Sequence, residues 1–277
     1  MLDPTVFLNH IYLYIDDQTL RAIAESDFMK NEFSAIENSF ININGNRSWS
    51  GLYITGEQTY IELFGISKDQ EEIQSVGSCG LGLGIEKEGG IEYIADKLES
   101  LIDSARPELF ERLIDDKKIP WFKSLPIIQY PEGVSEPFCC WVMEIDRDYL
   151  ESTQVGTAVT ENTISRRSYN ASRFRADRRM KDIREITVAL SLNDAKTLGA
   201  ALIKLNYVQS NTLSECTYSG PDIQINIRTV RNGAGGIVEI KFDLNGKGKN
   251  REVYDFGSRS RLQFDGSDIA RWTFSID

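Results

Sequence analysis

Histidine is nearly absent from this chain: there is one, His10, among 277 residues. That scarcity removes whole classes of chemistry. A serine triad needs a histidine base behind a nucleophile elbow, and here no GxSxG occurs and the lone histidine sits in an amino-terminal apolar run. Thiolate zinc sites need closely spaced cysteine pairs, and Cys79, Cys139, Cys140 and Cys216 offer no CxxC. They are also too sparse and irregular for a disulfide scaffold, and the adjacent Cys139 and Cys140 would point to opposite faces of a strand as small core residues. Positive charge is short as well. Lys and Arg number 31 against 42 Asp and Glu, a formal charge of -11, which repels polyanions and makes nucleic acid a poor partner. No run of about eighteen apolar residues occurs, and Met1-Leu2-Asp3-Pro4 has neither a basic nor an apolar leader region, so the expectation is a cytoplasmic protein without a membrane span.

What is present is a series of short segments rich in β-branched and aromatic residues. Leu8 to Ile15 (LNHIYLYI) reads as a strand, whose alternation puts Leu8, His10, Tyr12 and Tyr14 on one face and Asn9, Ile11, Leu13 and Ile15 on the other. Thr19 to Phe33 suits a broken amphipathic helix, with Asp17 and Asp27 at the cap positions. Strands follow at 40–43, 49–55 and 58–64, the last placing Tyr60, Glu62 and Phe64 together.

A second unit begins at 78–86, where Gly80, Gly82 and Gly84 alternate and leave one strand face bare. These glycines lie within the strand rather than at a turn into a helix, so they are not a dinucleotide loop. Close backbone packing is their plain structural meaning, and room for a ligand is the functional one. A helix at 91–102, a helical or irregular segment at 107–118, an extended segment at 121–130 and a strand at 138–145 complete the unit. In that last strand Val142 and Glu144 share a face.

Between 146 and 182 apolar periodicity fades. The stretch 165–184 is dense in arginine (Arg166, Arg167, Arg173, Arg175, Arg178, Arg179, Arg184) and reads as a solvated connector that pairs with the chain's own acidic surface, with docking of an anionic partner through Arg173, Arg175, Arg178 and Arg179 as the alternative. A third unit then repeats the first: strand 183–192, helix 194–205, and strands at 216–218, 222–229 and 236–244, with two more extended segments at 251–256 and 271–276. Laid side by side, LNHIYLYI matches IREITVAL with Glu185 in the place of His10, and TYIELFG matches IVEIKFD with Glu239 in the place of Glu62. Lys241 and Arg184 beside those glutamates suggest an ion-paired face. The expected organisation is paired βαβββ modules over 1–150 (5–65 and 77–146), an arginine-rich linker over 151–182, and a third βαβββ-like module with additional strands over 183–277.

The βαβββ order, with His10 in LNHIYLY on a first strand and Glu62 in TYIELFG on a last one, resembles the vicinal oxygen chelate superfamily of glyoxalase I, extradiol dioxygenases and bleomycin-resistance proteins. The blocks LNHIYLYID and GLYITGEQTYIELFG and the strand Trp141-Val142-Met143-Glu144 look, more narrowly, like an uncharacterised bacterial family known as a domain of unknown function. The superfamily resemblance implies an α+β fold of curved, half-open mixed sheets with helices on the outer face. It implies divalent-metal ligands (Fe, Mn, Ni or Zn) at His10, Glu62 and Glu144, with glycine at the fourth position. A metal so held would coordinate neighbouring oxygens of a small substrate as a lyase, isomerase or dioxygenase, with Glu144 and Tyr12 beside the reacting atoms. A metal-free module binding or sequestering a small molecule in the same cleft is the alternative. Without the resemblance, His10 reads most simply as a satisfied histidine on a half-buried sheet face. Duplicated modules can pair within a chain or across a homodimer.

Overall fold

The computed structural model describes residues 3–43, 47–66, 75–102, 106–131, 136–153, 159–160, 163–211, 215–230, 235–246 and 251–276. The first strand sets the geometry of the rest. β1 (Val6–Asp16) ends at Asp16, whose carboxylate accepts from the Thr19 amide and so caps α1 (Asp17–Glu25), one residue before the expected cap at Asp17. The expected break in this helix is real: Ser26 Oγ accepts from the Met29 amide and opens a separate π turn, Met29–Phe33. Strands β2 (Ala35–Ile43), β3 (Arg47–Thr55) and β4 (Tyr60–Ile66) complete the unit. The same order recurs in β5 (Cys79–Ile85), α2 (Gly90–Leu98), β6 (Glu108–Ile114), β7 (Lys117–Ile128) and β8 (Phe138–Ile145).

In each unit the helix returns the chain to the end where the first strand began, so first and last strands pair in parallel, His10 beside Tyr60 and Gly82 beside Trp141. The two first strands meet antiparallel, and a single pair, Ile43 with Arg112, joins β2 to β6. The eight strands thereby close in the order β1-β4-β3-β2-β6-β7-β8-β5. The expected helical or irregular segment at 107–118 is instead β6 and its hairpin into β7. Asp115 and Asp116 turn the chain at φ 48° and 61°, left-handed values that aspartate tolerates and that a two-residue hairpin requires.

After α3 (Arg147–Ser152), the short β9 (Val159–Thr160) and β10 (Thr163–Ile164), and α4 (Arg166–Asn170), the plan starts again. β11 (Met180–Leu190), α5 (Leu192–Lys204), β12 (Val208–Asn211), β13 (Cys216–Ser219) and β14 (Gln224–Thr229) form a third unit with β11 parallel to β14. The strand at 236–244, expected as that unit's last, is the first of another set: β15 (Gly236–Leu244), β16 (Arg251–Phe256), β17 (Ser260–Asp265) and β18 (Ile269–Phe274). Only residues 245–250 separate β15 from β16, far fewer than the crossover a parallel return needs, and β18 lies antiparallel to β15 rather than parallel. The resulting open sheet runs β12-β13-β14-β11-β15-β18-β17-β16. The architecture is thus α+β, with two eight-stranded mixed sheets built from repeated βαβββ-type units, as the sequence leads one to expect.

One continuous apolar core lies between the two sheets and beneath the helices. Ile11, Leu13 and Leu63 from the outer face of the barrel share it with Ile186, Phe242 and Trp272 from the second sheet. Polar pins cross the same boundary. The Asp182 carboxylate accepts from the amides of Gln58 and Thr59, at 2.7 and 2.9 Å, and from the Thr59 hydroxyl at 3.0 Å. Arg166 pairs with the chain's own carboxylates, as expected of its segment, but is buried where a solvated surface is expected. Its side chain is 4% exposed, pairs with Glu86 and Asp222, and donates to the Leu8 carbonyl. Among the described residues no helix is long and apolar enough to cross a membrane.

Candidate functional site

The barrel interior is shaped by what β5 lacks. A Cβ on Gly80 would lie 2.3 Å from the Tyr12 ring and 2.8 Å from that of Trp141, and one on Gly82 would lie 2.7 Å from His10 Cε1. The bare strand face therefore does not leave a void for substrate. Rings from β1 and β8 fill it, which is the close-packing meaning of these glycines. Beside it, a β-bulge between Leu8 and His10 turns Asn9 inward next to Gly84, while Leu8 joins the outer core. The strict alternation expected for β1 fails at that one residue: Leu8 does not share the face of His10.

His10 is packed on three sides. Its ring stacks on Tyr60 at a centroid distance of 4.5 Å, meets Trp141 edge-on at 5.2 Å, and its Nδ1 donates to Asn9 Oδ1 at 2.8 Å. Burial without a counter-charge pushes its pKa down to about 3, so the imidazole is neutral at pH 7. Glu62 lies on the same face one pleat further along, with Tyr12 beside it on β1 and Tyr53 on β3. Burial raises its pKa to about 8 against the opposing influence of Arg173 and the Tyr53 hydroxyl, which makes it a neutral hydrogen-bond donor at pH 7. Tyr12 sits between Trp141 and Tyr14, and burial holds its phenol protonated.

These residues wall a cavity of about 300 Å³, closed further by Phe64, Phe110 and Phe122. Tyr60, Glu62 and Trp121 also wall a second chamber of about 210 Å³. Its far side carries Arg112 and Arg173 with Tyr149 and Tyr169. Of these four only Arg173 carries an expectation of binding anions, as part of the arginine-rich segment, and nothing in the sequence assigns Arg112, Tyr149 or Tyr169 to a ligand site. The arginines come from β6, which read as helical or irregular, and from an aperiodic arginine-rich segment, and neither context signals an inward-facing side chain.

Glu144 is elsewhere. Along β8, Trp141 and Met143 face the cavity, whereas Val142 and Glu144 face out toward α2. The Glu144 carboxylate accepts from the amides of Gly89 and Ile91 at 2.8 and 2.9 Å, capping the start of that helix. With Gly82 matched to His10, Met143 holds the pleat position of Glu62. The expectation that Glu144 joins His10 and Glu62, as a ligand or beside the reacting atoms, is therefore not met. A resident divalent metal does not fit the remaining residues. Among the described residues no three His, Cys, Asp or Glu side chains converge as such an ion needs.

In the second sheet the matching positions are a polar network. Glu185, in the place of His10, accepts from Asn226 Nδ2 and Lys241 Nζ, both at 2.7 Å. Asn226, not Glu239, holds the place of Glu62, because β14 rather than β15 lies parallel to β11. Glu239 instead faces Lys241 at 3.7 Å and Arg271 at 3.4 Å.

The fold is shared with a hypothetical protein from Staphylococcus aureus, at TM-score 0.51 and 13% identity over 98% of each chain. The Mn(II)-bound glyoxalase from Novosphingobium aromaticivorans superposes at TM-score 0.47 and 9% identity, covering 97% of this chain and 81% of that one. Homoprotocatechuate 2,3-dioxygenase from Brevibacterium fuscum, in its anaerobic substrate complex, does so at TM-score 0.40 and 9% identity, over 83% and 62% of the two chains. No curated protein sequence matches the chain. A family model does match, over residues 8–274, and the chain accordingly belongs to the family that it describes, the Family of unknown function (DUF5829).

Proposed function

We propose that the chain binds a small molecule with a flat, apolar body inside the barrel, without a resident metal. The observation that carries this reading is the aromatic wall formed by Tyr12, Tyr60, Phe64, Phe122 and Trp141, in which His10 and Glu62 are embedded, both neutral at pH 7, while Ser124 and Glu136 complete the polar part of the lining. A cavity of about 300 Å³ lies at the small end of the roughly 300–1,000 Å³ typical of small-molecule sites. Aromatic faces gain most from planar ligands, through apolar burial and offset stacking. The protonated Glu62 adds one directional donor to a ligand oxygen or nitrogen.

The metal-dependent lyase, isomerase or dioxygenase implied by the superfamily resemblance needs a third donor beside His10 and Glu62, and Glu144 is engaged with α2 instead. Two measurements test the choice. Tag-free protein exposed to iron, manganese, nickel and zinc and then desalted is expected to retain far less than one ion per chain. Neutral naphthylethanol is expected to bind in isothermal titration calorimetry, and Trp141→Ala to weaken it roughly tenfold, the loss of about 1.4 kcal/mol of stacking and burial. One tightly held metal per chain that disappears in His10→Ala would restore the metalloenzyme reading. Absence of any binding by neutral aromatics would remove the present one.

A further inference from the structure

The second chamber carries charge that the protein itself does not neutralise. Arg112 donates to the Tyr149 hydroxyl at 2.6 Å and lies 5.4 Å from the Trp121 ring centroid. Arg173 lies over the rings of Tyr169 and Tyr60, at 5.3 and 5.9 Å. Neither enters an ion pair among the described residues, whereas Arg166, Arg179, Arg184 and Arg228 each do. Among the described residues the carboxyls that face this chamber are Glu37, exposed at its rim, and Glu62, at the junction with the aromatic cavity. Burial keeps Glu62 protonated at neutral pH.

A positive chamber thus adjoins an aromatic one, with Tyr60, Glu62 and Trp121 as their common wall. Arg112 gives one donor to Tyr149 and Arg173 one to Tyr169, and a guanidinium carries five, so each retains N–H groups to offer the oxygens of a carboxylate. Charge-assisted hydrogen bonds of this kind are about twice as strong as neutral ones, and low-dielectric walls strengthen them further. Deepening the binding reading above, on which it rests, we infer that the ligand is an aryl-substituted carboxylic acid lying across both chambers, its ring against Tyr12, Phe122 and Trp141 and its carboxylate between Arg112 and Arg173. The arginine-rich segment then has a specific part in the site: α4 and the turn after it bring Arg173 over the barrel mouth while Arg166 anchors that segment to both sheets.

The test compares three probes with one ring system and different heads: naphthylacetate, naphthylethanol and naphthylethylamine. Calorimetry on the full chain is expected to rank them in that order, with the acid at least about tenfold tighter than the alcohol, a difference of about 1.4 kcal/mol. Arg112→Gln and Arg173→Gln are each expected to bring the acid close to the level of the alcohol while leaving the alcohol unchanged, which also reports that the variants are folded. Arg173→Lys keeps the charge without the fork and is expected to retain part of the preference. If the alcohol binds and the acid binds no tighter, or if the preference for acid survives both glutamine variants, the carboxylate assignment is wrong while the binding reading stands. If neither probe binds, both fall together.

Discussion

Two sheets of this molecule follow one plan and use their concave faces in opposite ways. On the outer side they are alike, because Ile11 and Leu13 of β1 and Ile186 and Val188 of β11 all feed the same core. On the inner side the first sheet has His10 against Gly82 and Tyr12 beside Glu62, and the second has Glu185 against Lys241 and Thr187 beside Asn226. Bare glycine positions let the rings of the first sheet interleave and still leave a cavity. A lysine at the corresponding place in the second meets the glutamate and uses the space. The comparison teaches that burial of one face is enough to specify these strands, so the other face is free to become either a pocket or a polar network.

The largest test of the comparison asks whether the two sheets are one cooperative body. Arg166 binds Glu86 and the Leu8 carbonyl on the first and Asp222 on the second. Arg166→Ala leaves both carboxylates half-buried without their counter-charge, and a loss of about 3–5 kcal/mol is expected in urea denaturation. Two separated transitions in the variant, against one in the parent, would show that the sheets are stable alone and that Arg166 couples them.

Next come the positions that distinguish the faces. Gly82→Ala places a methyl 2.7 Å from His10 Cε1 and 2.8 Å from Nδ1, within a ring already held by Tyr60, Trp141 and Asn9. An expected cost of about 1–3 kcal/mol follows from overpacking. Lys241→Ala, at the matching place, should cost no more than about 1 kcal/mol, since that pair is partly exposed and Asn226 still donates to Glu185. Equal losses at the two sites would contradict the claim that only the first face is packed around missing side chains.

Much of this arrangement can be read from the residues alone, and the failures have identifiable causes. Strands 138–145, 236–244 and 251–256 have the bounds expected from their composition. Pleat alternation correctly groups His10, Tyr12 and Tyr14, and likewise Tyr60, Glu62 and Phe64. It misplaces Leu8 because a bulge adds one residue, and bulges leave no compositional mark in LNHIY. It cannot say which face of β8 is inner, because both are apolar enough, so Glu144 looks equivalent to Glu62 until the helix amides it caps are in view. The inward direction of Arg173 is invisible for another reason: a segment without periodicity has no face to assign.

The pH dependence of the two sites should also differ, because the first face buries two titratable groups of opposite sign of effect. Glu62 has its pKa raised from 4.5 to about 8, so its contribution to stability is fully present below pH 4.5 and is lost as pH rises toward 8. His10 has its pKa lowered from 6.5 to about 3; its contribution is present above pH 6.5 and is lost as pH falls toward 3. The slopes oppose one another between those reference values, which makes stability flattest there. Glu62→Gln should abolish the decline on the alkaline side, where each group can account for at most about 1.4 kcal/mol per pH unit. Denaturation midpoints from pH 5 to 9 for parent and variant give the comparison directly, and an unchanged alkaline slope in Glu62→Gln would mean that Glu62 is ionised in the fold.

The smallest effect comes from the second face, at Thr187, which stands where Tyr12 stands in the first. Thr187 is 1% exposed and its hydroxyl has no hydrogen-bond partner among the described residues. Its neighbours Glu185, Asn226 and Lys241 satisfy one another instead. Thr187→Val keeps the branched shape that a strand favours and removes the unpaired hydroxyl, so the variant should be more stable by up to about 1 kcal/mol. At roughly 2–4 °C per kcal/mol for a chain of this size class, a calorimetric melting temperature resolves that gain. A loss of the same size would show that the hydroxyl is part of the polar network, and the second face would then be as fully committed to hydrogen bonding as the first is to ring packing.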